Sequence, residues 1–399
     1  LSSSSRFSNF SLLILLAGSL LVLQNCENPG SVGRSFGPEN PQLKRDTIPV
    51  TSISITQLKA YSGNLSFVSA GIYDHALFGR YEALGLMQPT LISRNDSIGP
   101  NATFVMKLFI DGITGDTTST STFELLEVTR RWRAQAWTLD SLPLTDLAVL
   151  HTFTVTNEDS VVFNLPAGWY NRYLDRKNDS SSSRDSTFLN TIFGFAVRGV
   201  NTDKIIAMDA LTSAIFVEQN DTTLTRRVIS FRQTANSLQR TPSAALLPND
   251  VTIVENNFNT VGLLDIDFSE DVIGARFPSR VELVMYVDTL TMQSHLPAGH
   301  AWFDPAQIPI YVLEDYETDF AIFNNPNLFV NRSDGGTFRS NLTTYYNSVI
   351  TTDQNLGDLY FLSNRFNGAV SPKLFFNHLS ADRKPVLITT TFTNPSEEN

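Results

Sequence analysis

The chain has 399 residues, 42% of them hydrophobic, enough to fill two domain-sized cores once a leader and a linker are set aside. Its 29 Lys and Arg against 40 Asp and Glu give a formal net charge of -11, which opposes binding to nucleic-acid phosphates and to anionic lipid headgroups. A single cysteine, Cys26, excludes an intrachain disulfide and a cysteine-rich zinc site.

No charge lies between Phe7 and Cys26, Arg6 precedes this stretch, and its apolar part runs from Phe10 to Leu23. That is the length of a secretory leader's apolar region and short for a membrane span. The sequence Leu23-Gln24-Asn25-Cys26 resembles a lipobox, with Asn25 standing where small residues are usual. The resemblance implies a lipoprotein signal over residues 1–25. It also implies diacylglycerol on the Cys26 sulfur, a natural nucleophile as thiolate, and export to a bacterial cell envelope, on the outer membrane. An ordinary leader or an uncleaved anchor, with an incidental cysteine, is the alternative. Residues 26–50 are rich in Pro, Gly, Asn and Ser and read as a flexible tether.

From Thr51 onward short apolar runs alternate with turn residues. TSISIT (51–56) alternates strictly, and strands are expected at 104–111, 153–156, 161–165, 193–197, 215–218 and 228–231. Others follow at 251–254, 263–268, 281–287, 308–313, 359–362 and 386–392. Helical periodicity is confined to 124–133, 169–174 and 342–350. The polar run 176–187 reads as a solvated loop and 236–250 as a domain junction. The two halves share an order of elements, so the expected fold is all-β, with two tandem jelly-roll-like β-sandwiches over 51–240 and 241–399.

The strand 104–111, followed by Val128-Thr-Arg-Arg-Trp132 and by Trp137-Thr138, resembles the DNRLRE-type β-sandwich. Phe193-Gly-Phe-Ala-Val197 and Lys384-Pro-Val-Leu-Ile-Thr389 fit its last strands. The stretch Gly71-Ile-Tyr-Asp-His-Ala-Leu-Phe-Gly79 resembles surface lipoproteins of the Bacteroidetes lineage. Together these likenesses span about residues 60–395. They imply an accessory module of a secreted protein, one that binds or scaffolds. Trp132 and Trp137 match positions that pack in that family and are expected in the core.

Catalytic patterns are sparse. There is no G-x-S-x-G, S-x-x-K, P-loop or G-x-G-x-x-G, although dispersed triads leave no such trace. Of His75, His151, His295, His300 and His378, only His295 and His300 lie close in sequence, and their spacing is not that of a helical zinc motif. Acidic residues gather at Asp265, Asp267, Glu270 and Asp271, and again at Glu314, Asp315, Glu317 and Asp319. Strand alternation would put Asp265 and Asp267 on one face. The first group could supply oxygens to a structural calcium, or either could be solvated turns. A glycan hydrolase would need two carboxylates facing across a cleft.

Aromatic faces offer contact area for sugar rings. Trp169 with its neighbour Tyr170, and Trp302, follow Gly168 and Gly299 and are the surface candidates; Tyr173, Tyr345 and Tyr346 are further aromatics. Asp-Ser or Asp-Thr pairs begin at Asp46, Asp96, Asp116, Asp140, Asp159, Asp185, Asp221 and Asp288. They resemble O-glycosylation acceptors of Bacteroidetes envelope proteins and are equally turn chemistry. The expected protein is a non-catalytic surface lipoprotein with no cofactor beyond a possible calcium. Its partner would be a polysaccharide or an envelope protein, with an assembly subunit as the second reading and a glycan hydrolase as the third.

Overall fold

A computed structural model describes residues 42–57, 61–99, 101–138, 140–141, 148–219, 227–244, 247–256, 260–274, 277–301, 306–313, 327–352, 358–364 and 368–393. Cys26, Asp221, Trp302 and the acidic group at 314–319 lie outside the described residues. The first strands are β1 (Gln42–Pro49), β2 (Ser52–Gln57), β3 (Phe67–His75), β4 (Gly79–Pro89), β5 (Thr103–Asp116), β6 (Ser121–Glu127), β7 (Ala148–Val155) and β8 (Ser160–Asn164). Helices α1 (Ala167–Asn178) and α2 (Arg184–Leu189) precede β9 (Phe195–Asn201), β10 (Lys204–Glu218), β11 (Arg227–Ile229), β12 (Phe231–Thr241), β13 (Val251–Val254) and β14 (Thr260–Asp265). Then come α3 (Glu270–Ile273), β15 (Arg280–Tyr286), α4 (Thr289–Ser294), β16 (His300–Ala301), β17 (Gln307–Leu313), β18 (Leu328–Asp334) and β19 (Thr337–Asn341). The last elements are α5 (Thr343–Thr352), β20 (Asp358–Phe361), β21 (Lys373–Phe376) and β22 (Val386–Thr393).

The fold is all-β, built on two large antiparallel sheets. One runs β16-β5-β10-β3-β4-β9-β6-β7, with β8 on β5, β11 on β10 and β12 on β4. The other runs β1-β22-β15-β19-β18-β17-β20-β14-β2. Its two edge strands, β1 and β2, are separated in the chain only by Val50 and Thr51. Consecutive Cα atoms are about 3.8 Å apart, so this connection forces the sheet to curl until its edges nearly meet. The Val50 N–H donates to Pro385 O and the Thr51 N–H to Asp265 O, both at 3.0 Å, which stitches the seam. Curling protects two edges that would otherwise template foreign strands.

The stretch 71–79 covers the end of β3, the turn at 76–78 and the first residue of β4, and the positive φ at its two ends explains its glycines. Gly71 has φ 131 and Gly79 φ 93. A Cβ on Gly71 would stand 2.1 Å from Lys204 O, and one on Gly79 2.1 Å from Thr241 O.

Several expectations are corrected. Residues 42–49, read as tether, form β1, because β22 offers a free edge that pairs along its whole length. TSISIT forms β2 as expected, yet it joins the second sheet through β14 and not the first. Residues 300–301 cross the other way and pair with β5. The first part of the expected junction, 236–241, belongs to β12, which pairs with β4 throughout. The run from Glu124, expected as helix, begins in β6, where neighbours β7 and β9 on both sides override local propensity. The polar run 176–187 is largely helical and tied down by carbonyls. Arg184 donates to Ile92 O and Lys177 O, and Lys177 donates to Arg94 O.

One core lies within the first sheet and under α1, from Val68, Phe104, Met106 and Phe123 to Trp169, Phe195 and Ile215. A second joins Val261, Leu283, Ile310, Phe338 and Leu387 of the curled sheet to Tyr73, Phe78, Tyr81, Ile205 and Leu238 of the first. At this seam Glu255, 2% exposed, accepts from Arg240 Nη1 at 2.7 Å and from Tyr81 Oη at 3.1 Å.

Candidate functional site

A cleft of about 410 Å³ opens at the rim of the curled sheet, where strands β2, β14 and β20 end or begin. Ser52, Ser54, Leu263, Asp265, Ile266, Phe268, Tyr345 and Asp358 are among its lining residues. Rims of curled sheets are common places for ligands, because strand ends release side chains from the ladder. Register explains the polar floor. Ser52 pairs with Asp265, and its hydroxyl donates to Asp265 Oδ2 at 3.5 Å. On the other side Leu264 pairs with Leu359, which carries Asp265 and Asp358 to facing positions one step further. Ser52, Asp265 and Asp358 thus form one row across three strands, and the Tyr360 hydroxyl donates to Asp358 Oδ2 at 3.3 Å.

The wall is aromatic. Helix α5 is fastened at its start: Asn341 Oδ1 accepts from the Thr343 N–H at 3.0 Å, and Thr343 Oγ1 accepts from the Val281 N–H at 2.9 Å. This seats Tyr346 fully in the core and leaves Tyr345 half-buried beside the cleft. Phe268 meets Tyr345 edge to face, with ring centroids 5.4 Å apart. Burial raises the Tyr345 phenol's pKa, and the negative charge of Asp358 adds to the effect.

The sequence candidates are only partly brought together. Trp169 is not a surface platform: it is 1% exposed, packed against Tyr173 at 5.5 Å and Phe195 at 4.8 Å. It sits four residues before Tyr173 on α1, so both rings share the helix face that closes the first core. Tyr170 is half-buried and stacks on Phe104 at 5.2 Å, with one ring face given to that contact. Trp132 is buried, with its indole N–H donating to Phe193 O at 2.8 Å, and Trp137 packs edge-on against it.

The calcium group also separates. Strand β14 stops at Asp265, so the alternation that would align Asp267 is lost. Asp267 accepts from the Ser269 N–H at 2.9 Å, which lowers its pKa, and Glu270 and Asp271 occupy the first turn of α3. Among the described residues no three His, Cys, Asp or Glu side chains gather as metal ligands. Of the four acidic candidates only Asp265 lines the cleft. Asp358, Phe268, Ser52 and Ser54 were not singled out from the sequence. The available signal was an aspartate opening a short apolar strand, which is visible but common.

Three histidines, by contrast, converge. His75 is 4% exposed, and its Nδ1 accepts from the backbone N–H groups of Leu77 at 3.1 Å and Phe78 at 3.3 Å. Burial pushes its pKa down to about 4, helped by the nearby charges of His295 and His300. His300 Nε2 lies 3.2 Å from Asp203 Oδ2, and its ring centroid is 5.9 Å from that of Tyr73. Several Asp-Ser and Asp-Thr sites do turn chemistry: Asp116 accepts from Thr118 and Ser119, and Asp288 caps α4 through the Thr291 N–H. Asp96 pairs with Arg227 at 2.6 Å.

Among the described residues no helix is long and apolar enough to cross a membrane. No protein-family model matches the chain, and no curated protein matches it. A solved structure of PNGF-II is similar at 10% identity and a TM-score of 0.13, over 88% of this chain and 62% of that one. A likeness so slight carries neither fold nor function.

Proposed function

We propose that the chain is a lipid-anchored, non-catalytic module of a bacterial cell envelope that binds a saccharide in the rim cleft. The observation that carries this reading is the pairing, in one cleft, of the Phe268–Tyr345 wall with the polar row Ser52, Asp265 and Asp358. Sugar rings present an apolar face that stacks on aromatics and a rim of hydroxyls that donate to carboxylates. The leader, Cys26 and the tether supply the anchor in this reading.

Hydrolysis is the second reading, since Asp265 and Asp358 face each other and a glycosidase uses two carboxylates. Both are exposed, however, whereas a glycosidase's acid is kept protonated by an apolar, desolvating pocket. Protein assembly is the third, favoured by Leu43 and Phe392, which face each other across β1 and β22 and are 64% and 65% exposed.

The test is titration of the full chain, purified in detergent, against a panel of oligosaccharides, with product analysis of each mixture. Saturable binding without cleavage, weakened about tenfold or more in Tyr345→Ala, is the expected result. Cleavage products would replace binding with hydrolysis. Silence across the panel would overturn the saccharide reading and direct cross-linking to the Leu43–Phe392 face.

A further inference from the structure

The cleft's charge narrows the class of ligand. Asp265 and Asp358 occupy facing positions on neighbouring strands, and both line the same open space. Like charges directly opposite one another on a sheet repel. Among the described residues that line the cleft there is no Lys, Arg or His. The remaining polar lining is hydroxyl: Ser52, Ser54 and Tyr345. The chain's net charge of -11 adds a long-range field that draws cations and repels anions.

We infer that the rim cleft selects saccharides bearing a protonated amine, the ammonium lying between Asp265 and Asp358 and the ring against Phe268 or Tyr345. The inference rests on the saccharide reading of this cleft and adds the charge class to it. An ammonium carries three donors, which two carboxylates and a serine hydroxyl can accept together. A calcium ion would need six to eight oxygens, and Asp265 and Asp358 are the two carboxylates among the described lining residues, with no third His, Cys, Asp or Glu gathered as a metal ligand. Uronic and sulfated sugars would bring a third negative charge to a floor that already holds two.

The experiment titrates the full chain with glucosamine oligomers, their N-acetylated counterparts of equal length, and galacturonate oligomers. It is run in low salt at about pH 6, where amines are protonated. The expected result is roughly five- to tenfold tighter binding of the amine form than of the acetylated form, with the galacturonate form weakest. The preference should shrink as salt is added and vanish in the Asp265→Asn/Asp358→Asn double variant. Tyr345→Ala should weaken both glucosamine forms alike. Equal binding of both forms, still lost in Tyr345→Ala, would overturn the charge class while leaving the saccharide site standing. Binding of none of the oligomers would overturn both. Stoichiometric calcium binding that disappears in Asp265→Asn would also overturn it, in favour of a metal.

Discussion

His75 is held neutral by its surroundings. Its Nδ1 accepts two backbone N–H groups in the β3–β4 turn, so the ring proton sits on Nε2 and protonation would break both contacts. Its pKa in the fold is about 4, against 6.5 for the free side chain. The native state therefore binds fewer protons than the unfolded chain between these values. The stability this group contributes is complete above about pH 6.5 and is lost as pH falls toward about 4, by at most about 3 kcal/mol. Urea midpoints of the wild type and of His75→Asn at about pH 7.5 and about pH 5 check this. The wild type should lose stability on acidification and the variant less. Equal loss would show that other groups carry the acid response. A histidine followed by Ala76, Leu77 and Phe78 gives no such hint in sequence, because His295 and His300, whose charges add to the effect of burial, arrive from more than 200 residues away.

At the scale of the element, alternation was readable and partnership was not. TSISIT announces a strand through period two, which sets Ile53 and Ile55 on one face of β2; only Ile53 is covered by the core there, and Ile55, two residues on, is exposed. Nothing within those residues says that Asp265 and Gln57 mark the ends of its pairing with β14, or that β1 lies at the sheet's far edge. Helix α5 is legible through helical periodicity over 342–350, but which of Tyr345 and Tyr346 faces the cleft depends on the fastening of Thr343 to Val281. The turn of hairpin β3–β4 offers the sharpest test. Gly79→Ala would place a Cβ against Thr241 O in a backbone conformation with φ 93. It should cost about 2 kcal/mol or more, read from denaturant midpoints. Gly274→Ala is a control at φ 78 with open space around it, expected to cost only the backbone term, about 1 kcal/mol.

At the scale of the whole molecule, the two sheets share a core and are expected to unfold together. Tyr73, Phe78, Tyr81, Ile205 and Leu238 of the first sheet lie in the same core as Val281, Phe338 and Leu374 of the second half. The Arg240–Glu255–Tyr81 contact crosses the seam in a buried setting, where removing one partner strands a charge. Calorimetry should show one cooperative transition, moved as a whole by Arg240→Met, which is expected to cost about 3 kcal/mol. Two resolved transitions, with only one displaced, would refute the shared core. The sequence alone determined the class of fold, through short alternating runs and frequent turns, and it determined the acidic balance that shapes the cleft's field. Only the tertiary structure decided that Trp169 is core, that Asp267 leaves the ladder, and that Asp265 meets Asp358. The reason is physical: alternation and charge are properties of neighbours along the chain, whereas burial and register are set by strands that meet only after the chain has closed loops of tens to hundreds of residues.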